Sequence, residues 1–567
     1  MCYLSEIHSP QDIKALSLAQ LKDLCCEIRH SLIERVERTG GHIGSNLGIT
    51  EATVALHYVF DSPVDRIVYD VSHQSYVHKM LTGRYDAFMR GDTSGYTNPA
   101  ESDHDAFMVG HTSTAVSLAV GLAKGRNLSG GTERIVAVLG DGSLSGGEAY
   151  EGLDNAATIA GNLIVVLNDN EMSIAENRGG IYAGLAALRA TAGKAEPNLF
   201  RALGLDYIYV EEGNDVAALI AAFRQVKNYD HPVVVHIHTR KGKGLAWAED
   251  NKERGHWISA ASYTAPDAIS TTALVADELL RHIQAGDNMA VLTAATPGAV
   301  GLTPQWRQAA GERYVDVGIC EEHAVAMASG MAKRGVKAVW CVMSSFVQRV
   351  YDQLLQDLAL NANPAVVLVY NGGFGKSDPT HAGLYDMSMM SNIPGLRCYA
   401  PTSRRRLIAT LRLALRQTDY PVVIRVANDL PEGEDDRTED WSIAQRGAEV
   451  ALLGLGDMAA QAALAADALQ EAGINATVVQ CSLYSEADAA MLASLAATHR
   501  VFVTLESGIL AGGFGQKVAA ALADKDCKVL LRGAPKVFVD RQSAEQQMQS
   551  YRMTPVQIVE DVIRCLH

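Results

Sequence analysis

The sequence predicts an α/β protein whose mostly parallel sheets are wound on both faces by helices, a doubly wound architecture. Short, wholly apolar runs such as "RIVAVLG", "NLIVVLND" and "PVVVHIH" read as strands covered on two sides. Helical patterns alternate with them, as in "LAQLKDLCCEIRHSLIERVERTGG", an amphipathic stretch stopped by a glycine pair. Many of the 49 glycines stand just after the apolar runs, where strand ends turn tightly.

A chain of 567 residues is too long for one core, and the pattern divides it into three α/β domains at 1–255, 272–430 and 442–567. The first holds the strand "DRIVYDVS", a βαβ unit from Arg134 to Asn170, and the strand in "PVVVHIHTRKGKG". The polar stretch "AEDNKERGHWISAASYTAPDAIS" reads as a linker. In the second, "FVQRVYDQLLQDLALN" puts Val347, Val350, Tyr351, Leu354, Leu355 and Leu358 on one face of a regular helix, followed by the strand "PAVVLVYN". The acidic "LPEGEDDRTEDW" reads as a second linker, and "EVALLGLGD", "NATVVQCS" and "HRVFVTLES" are the strands of the third domain.

A net charge of -16 argues against a nucleic-acid binder, because phosphate backbones need a basic surface. Nine cysteines, an odd number without C-x-x-C, point to reduced thiols and a cytoplasmic setting. The N-terminus lacks a basic start followed by an apolar run, so no signal peptide is expected, and no apolar stretch nears the roughly 18 residues that span a bilayer. No membrane and no nucleic acid are expected as partners.

The chemistry concentrates in "RIVAVLGDGSLSGGEAYEGLDNAATIAGNLIVVLNDNEMSIAEN". Gly140-Asp141-Gly142 admits three readings. It could be a plain strand-to-helix turn, with glycines for the backbone alone. It could hold a dinucleotide pyrophosphate, but G-x-G-x-x-G is missing and Asp141 would repel phosphates unless a cation lay between. The third reading supplies that cation. Asp141 and Asn170 end neighbouring strands joined by one crossover helix, and Mg²⁺ takes one or two protein side chains plus phosphate oxygens.

Gly-Asp-Gly answered at the next strand end by Asn-Asp-Asn resembles the thiamine-diphosphate fingerprint of transketolase-like enzymes. "GGHIGSNLGITEATVALHYVFDSPVDRIVYDVSHQSYVHKMLTGR" and "VGHTSTAVSLAVGLA" are similar to the N-terminal part of the 1-deoxy-D-xylulose-5-phosphate synthases, a branch of that family. The likeness continues through "DVGICEEHAVAMASGMA", "SSFVQRVYDQLLQDLAL", "GKSDPTHAGLYDMSMMSNIPGL" and "ESGILAGGFG", nearly the whole chain.

The resemblance implies a transketolase-like fold and thiamine diphosphate with Mg²⁺ as cofactors. Asp141, Asn170 and the backbone of Met172 would hold the metal, while Gly140, Gly142, Ser143 and His111 would meet the diphosphate. His42 and His73 would stand near the reacting carbon and the cofactor, and His256 would join them. Glu321 would hydrogen-bond the pyrimidine N1′ and shuttle its proton, a task suited to a carboxyl raised by an apolar site. Phe346 would stack on the pyrimidine with Arg349 nearby, and His381 would act at the substrate. Ser45, Tyr370, Ser377, Asp378, Arg425 and Asn428 fall at substrate positions.

The acceptor site departs from the family pattern. Lys376-Ser377-Asp378-Pro379-Thr380-His381 replaces the usual Ala-Asp-Gly-Pro-Thr-His. Tyr370 and Asn428 stand where the family carries phosphate-gripping arginines, Met343 replaces a tyrosine, and the connection between "SIAENRGG" and "PNLFRALGLDYI" is short. Lys376, Arg425 or Arg349 could take over the phosphate, although lysine grips as a point charge.

The resemblance implies transfer of two carbons from pyruvate, with loss of CO2, to glyceraldehyde 3-phosphate; the alternative is ketol transfer from a ketose to an aldose without CO2, the acceptor then being a non-standard or unphosphorylated sugar. A silent thiamine-binding paralogue and a NAD-binding enzyme are the other classes. A homodimer is implied, with the site either within one chain or between two.

Overall fold

Arg66–Tyr69 (β1), Ile135–Gly140 (β2), Leu163–Asp169 (β3), Asp206–Val210 (β4) and Pro232–His238 (β5) pair in the order β1-β2-β3-β5-β4, every pair parallel. A computed structural model describes residues 3–260, 270–438 and 440–567. The chain divides into two compact units, Met1–Ala265 with Gly318–Cys320, and Pro266–Val317 with Glu321–His567.

The strands of the first unit are apolar throughout because both faces of their sheet are covered. Val136, Val138, Ile164 and Val166 enter one core with helix Leu18–Thr39 (α1). Ile135, Ala137, Val165 and Leu167 enter the other with helices Ala115–Ser129 (α2) and Gly147–Ala156 (α3). Ser17 caps α1 by accepting the Gln20 N–H, and Gly40, at φ 75°, ends it. Its apolar face is buried, including Cys25, while adjacent Cys26 is exposed. The described cysteines are all free thiols.

The stretch predicted as the first linker is built into this unit. Trp257–Ile258 pairs antiparallel with Gly41–His42, and the Gly44 N–H donates to Gly255 O at 2.8 Å. A side chain on Gly44 would meet Gly255 O at 2.6 Å, so the strap lies directly on that backbone. Residues 261–269 of the same stretch lie outside the described residues.

The second unit contains two sheets. Met289–Thr293 (β6), Tyr314–Asp316 (β7), Lys337–Met343 (β8), Val366–Tyr370 (β9), Arg397–Tyr399 (β10) and Val422–Val426 (β11) pair in the order β10-β11-β9-β8-β6-β7, all parallel. Trp441–Gln445 (β12), Glu449–Leu455 (β13), Thr477–Cys481 (β14), His499–Ile509 (β15) and Lys528–Ala534 (β16) pair as β12-β14-β13-β15-β16, antiparallel only at the β12 edge.

The predicted regular helix after Phe346 is not regular. It runs as a 3₁₀ turn over Val347–Val350, one α turn over Tyr351–Gln353 and a π segment over Leu354–Ala359. The changing pitch keeps Val347, Val350, Leu354 and Leu358 inside but rotates Tyr351 outward. Among the described residues no helix is long and apolar enough to cross a membrane.

Candidate active site

β2 and β3 end side by side, with Gly140 opposite Asn168, so the following residues bring Asp141 and Asn170 to one edge. Asp141 is buried; its Oδ2 accepts the Met172 N–H at 3.0 Å and an Asn177 amide N–H at 2.6 Å. Burial, and then the charge of Asp169, push its carboxyl well above the usual carboxylate range. Asn170 is buried too, and its Oδ1 has no hydrogen-bond partner among the described residues. A costly buried carboxylate beside an unpartnered buried amide oxygen fits the hard oxygen donors that Mg²⁺ takes.

The two glycines of the turn have different surroundings. A side chain on Gly142 would strike Ser173 at 2.8 Å, whereas one on Gly140 would meet nothing within 4 Å. The space beside Gly140 is thus open at the carboxylate edge. Ser143 O accepts the Ser113 hydroxyl at 2.8 Å, and Asp70 accepts the Ser113 and Ala115 N–H groups at 2.9 and 3.0 Å. These bonds pin the loop carrying His111 against the Gly-Asp-Gly-Ser turn.

Two further loops meet through one amide. Asn46 donates to His42 O at 2.9 Å and His73 O at 2.7 Å and accepts the Tyr76 N–H at 2.9 Å. The strap contributes the third ring. His42 lies 4.6 Å from His73 and 5.2 Å from His256 between ring centroids, with Trp257 edge-on at 4.7 Å. Burial drives the His73 imidazole down to about 4 and that of His256 well below its ordinary value, so both are neutral at pH 7. Ser45 lies half-buried in the short helix Gly44–Gly48 that follows His42.

Sequence reasoning missed Lys241. It is buried just beyond β5, the neighbour of β3, and its Nζ donates to Ser173 O at 2.5 Å. Burial lowers its ammonium to about 7, with the Asp141 charge opposing. Lys252 Nζ donates to Asn170 O at 3.0 Å, and the Tyr182 hydroxyl to Asp141 O at 3.1 Å. The one available signal was the order of the strands: a residue after β5 reaches the edge where β3 ends.

In the second unit, helix Glu321–Lys333 (α4) begins with the predicted glutamate. Glu321 is 3% exposed, and burial raises its carboxyl despite Arg349, whose NH1 donates to Oε2 at 3.4 Å. Arg349 also donates its backbone N–H to Phe346 O at 3.3 Å, and the Phe346 ring is edge-on to His381 at 5.6 Å. Glu321, Arg349, Phe346 and His381 therefore form one contiguous group. Ser377 and Asp378 lie on the loop leading to His381, where the His381 N–H donates to Asp378 O at 3.0 Å.

Comparison with known proteins decides the family. A family model described as 1-deoxy-D-xylulose-5-phosphate synthase matches residues 4–195 and 190–239. Models of the transketolase pyrimidine binding domain and the transketolase C-terminal domain match 267–431 and 439–558. The 1-deoxy-D-xylulose-5-phosphate synthase of Symbiobacterium thermophilum is 37% identical over 98% of this chain and 93% of its own length. This chain belongs to the 1-deoxy-D-xylulose-5-phosphate synthase family. The synthase 1 of Geobacter sulfurreducens is 37% identical over 95% of the chain, and the synthase 2 of Kitasatospora griseola 37% over 99%. Among solved structures, a split-gene transketolase described as an inactive β4 tetramer aligns with a TM-score of 0.48 at 23% identity, covering 53% of this chain and 99% of that one.

Two residues expected at the acceptor of this synthase-family chain are structural. Tyr370, at the end of β9, is buried, with its hydroxyl against Cys341 Sγ at 3.9 Å in the sheet core. Arg425, on β11, is also enclosed. Its guanidinium donates to both Asp386 oxygens at 2.9 and 3.2 Å, to Ser507 Oγ at 2.8 Å and to Gly383 O at 3.0 Å. Its donors are spent on the protein, which removes it as a phosphate grip. Asn428 is exposed, and its carbonyl accepts the Thr271 hydroxyl at 2.8 Å.

Proposed function

We propose that the chain catalyses thiamine-diphosphate-dependent transfer of a two-carbon unit from pyruvate to the aldehyde of glyceraldehyde 3-phosphate, with release of CO2. The reading is supported by membership in the synthase family and by one observation above the rest: the buried Asp141 carboxylate beside the unpartnered Asn170 oxygen.

Bound thiamine diphosphate supplies an electron sink for the pair left when a 2-keto acid loses CO2. Every other task falls to the protein. Asp141, Asn170 and the Met172 backbone would hold Mg²⁺, which neutralises the diphosphate, while backbone groups of Gly140, Gly142 and Ser143, with His111, would line it. Glu321, its carboxyl raised by burial with Arg349 opposing, would hydrogen-bond the pyrimidine N1′ and shuttle its proton. Phe346 offers the pyrimidine a ring face. The neutral His73 and His256, with His42, can accept or donate hydrogen bonds to a substrate carbonyl or hydroxyl. His381, Asp378 and Ser377 would meet the acceptor. With Arg425 engaged elsewhere, Lys376 on the same loop would meet the acceptor's phosphate. One proton is taken up for each CO2 released, because the new hydroxyl replaces a carboxylate.

The working form would be a homodimer in the cytoplasm. Carboxyl-labelled pyruvate, supplied with the aldehyde, coenzyme and Mg²⁺, should yield labelled CO2 and a 1-deoxyketose in equal amounts. Cleavage of a ketose without CO2, and none from pyruvate, would replace this reading with ketol transfer.

A further inference from the structure

We propose that the last sheet of the second unit, β12–β16 with its helices, positions the substrate loop, and that Gln547 is the latch. The inference rests on the proposed reaction only for what the loop binds.

The loop leaves β9 at Asn371 and returns at Tyr385, carrying Ser377, Asp378 and His381. Its base closes on itself where the Gly373 N–H donates to Gly383 O at 2.7 Å. Arg425 lies under that base: a side chain on Gly372 would strike its Nε, and its NH2 donates to Gly383 O. The same guanidinium donates to Ser507 Oγ, which in turn donates to Asp457 Oδ1 at 2.7 Å. Ser507 is on β15, and Asp457 follows β13, so one buried charge ties the loop's base to the last sheet.

The loop's outer part rests on the same sheet's helices. Gln547 is 1% exposed; its Nε2 donates to Gly375 O at 3.0 Å and to Gln542 O at 2.8 Å, fastening the loop to the segment before helix Ala544–Ser550. The Arg541 N–H donates to Ser377 O at 2.8 Å. Phe374 packs on Tyr551 at 5.8 Å between centroids. A loop of this length with small, polar residues would otherwise sample many conformations, and three separate contacts to Arg541, Gln547 and Tyr551, in and around helix Ala544–Ser550, remove that freedom. Gln547 touches no reacting group. It acts through Gly375, two residues before Ser377, and is therefore a positioning residue.

The test uses the full chain with Gln547→Leu and Phe374→Ala. Amide exchange across 373–381 should speed about tenfold in each, as expected when a buried hydrogen bond or ring contact holding one local segment is lost, while β9 and β15 keep their protection. With the acceptor varied, KM should rise about tenfold while CO2 release from pyruvate alone stays within about twofold. If Gln547→Leu loses the whole fold, Phe374→Ala carries the comparison, since it leaves the buried amide in place. Unchanged exchange in the loop, or a fall in kcat with KM untouched, would overturn the latch. A wild-type chain releasing no CO2 would overturn the proposed reaction instead, and the exchange result alone would then judge the latch.

Discussion

Asp141→Asn should make the coenzyme-free protein more stable while destroying Mg²⁺-dependent coenzyme binding. The Asp141 carboxyl is raised by burial and by Asp169, so its ionisation opposes folding. For an acid with a folded pKa above its unfolded value, stability is full below the unfolded pKa and is lost as pH rises toward the folded one. The penalty therefore grows as pH climbs between those two values, by about 1.4 kcal/mol for each pH unit. Asparagine removes the charge. It keeps an oxygen for Met172 N and Asn177 Nδ2, weakening these bonds from charge-assisted to neutral at about 1 kcal/mol each. The net gain at pH 8 is on the order of 1–2 kcal/mol, or roughly 2–4 °C in melting temperature for a unit of this size. Thermal melts with and without coenzyme and Mg²⁺ measure both effects. At 100-fold excess over Kd the wild type should gain about 2.7 kcal/mol from the ligand, and the variant nothing. A variant that melts lower at pH 8 than the wild type, yet keeps the ligand shift, would refute the reasoning.

Three other outcomes follow from the same geometry. Glu321→Ala should cut turnover by about 10²–10⁴ while leaving Mg²⁺-dependent coenzyme binding measurable by calorimetry. Arg425→Met should cost about 3–5 kcal/mol in urea unfolding, because it strands Asp386 in a buried site without its partner. Lys241→Met should stabilise the coenzyme-free chain more at pH 6 than at pH 9. The wild-type ammonium, lowered to about 7 by burial, costs most where the folded state must still carry its charge, and denaturation at the two pH values reads the difference.

Much of this was legible in the sequence because local rules and chemistry agreed. Apolar runs covered on both faces marked β1, β2, β3 and β5, and the Asp and Asn at the ends of β2 and β3 needed only strand adjacency to meet. Glu321 was singled out only through family resemblance, since a glutamate opening a helix has no local mark of function; its burial beside Arg349 appears in the structure alone. Lys241 was not legible. After a strand and among glycines it reads as a solvated cation, and only the neighbouring of β3 and β5 buries it beside Ser173. Arg425 misled for a similar reason: its partners Asp386 and Ser507 lie 39 and 82 residues away. The strap was mistaken for a linker because its polar composition hid two strand residues that pair with Gly41–His42. The helix after Phe346 kept its apolar spacing but not its pitch, which periodicity alone cannot reveal.

The central claim is that Asp141 and Asn170 hold a divalent cation that in turn holds thiamine diphosphate. Calorimetric titration of the coenzyme into chelator-treated protein tests it most directly. Binding should appear only when Mg²⁺ is restored and should vanish in Asn170→Leu. Coenzyme binding that is indifferent to Mg²⁺ and survives that substitution, or binding of a nicotinamide dinucleotide in its place, would contradict the account.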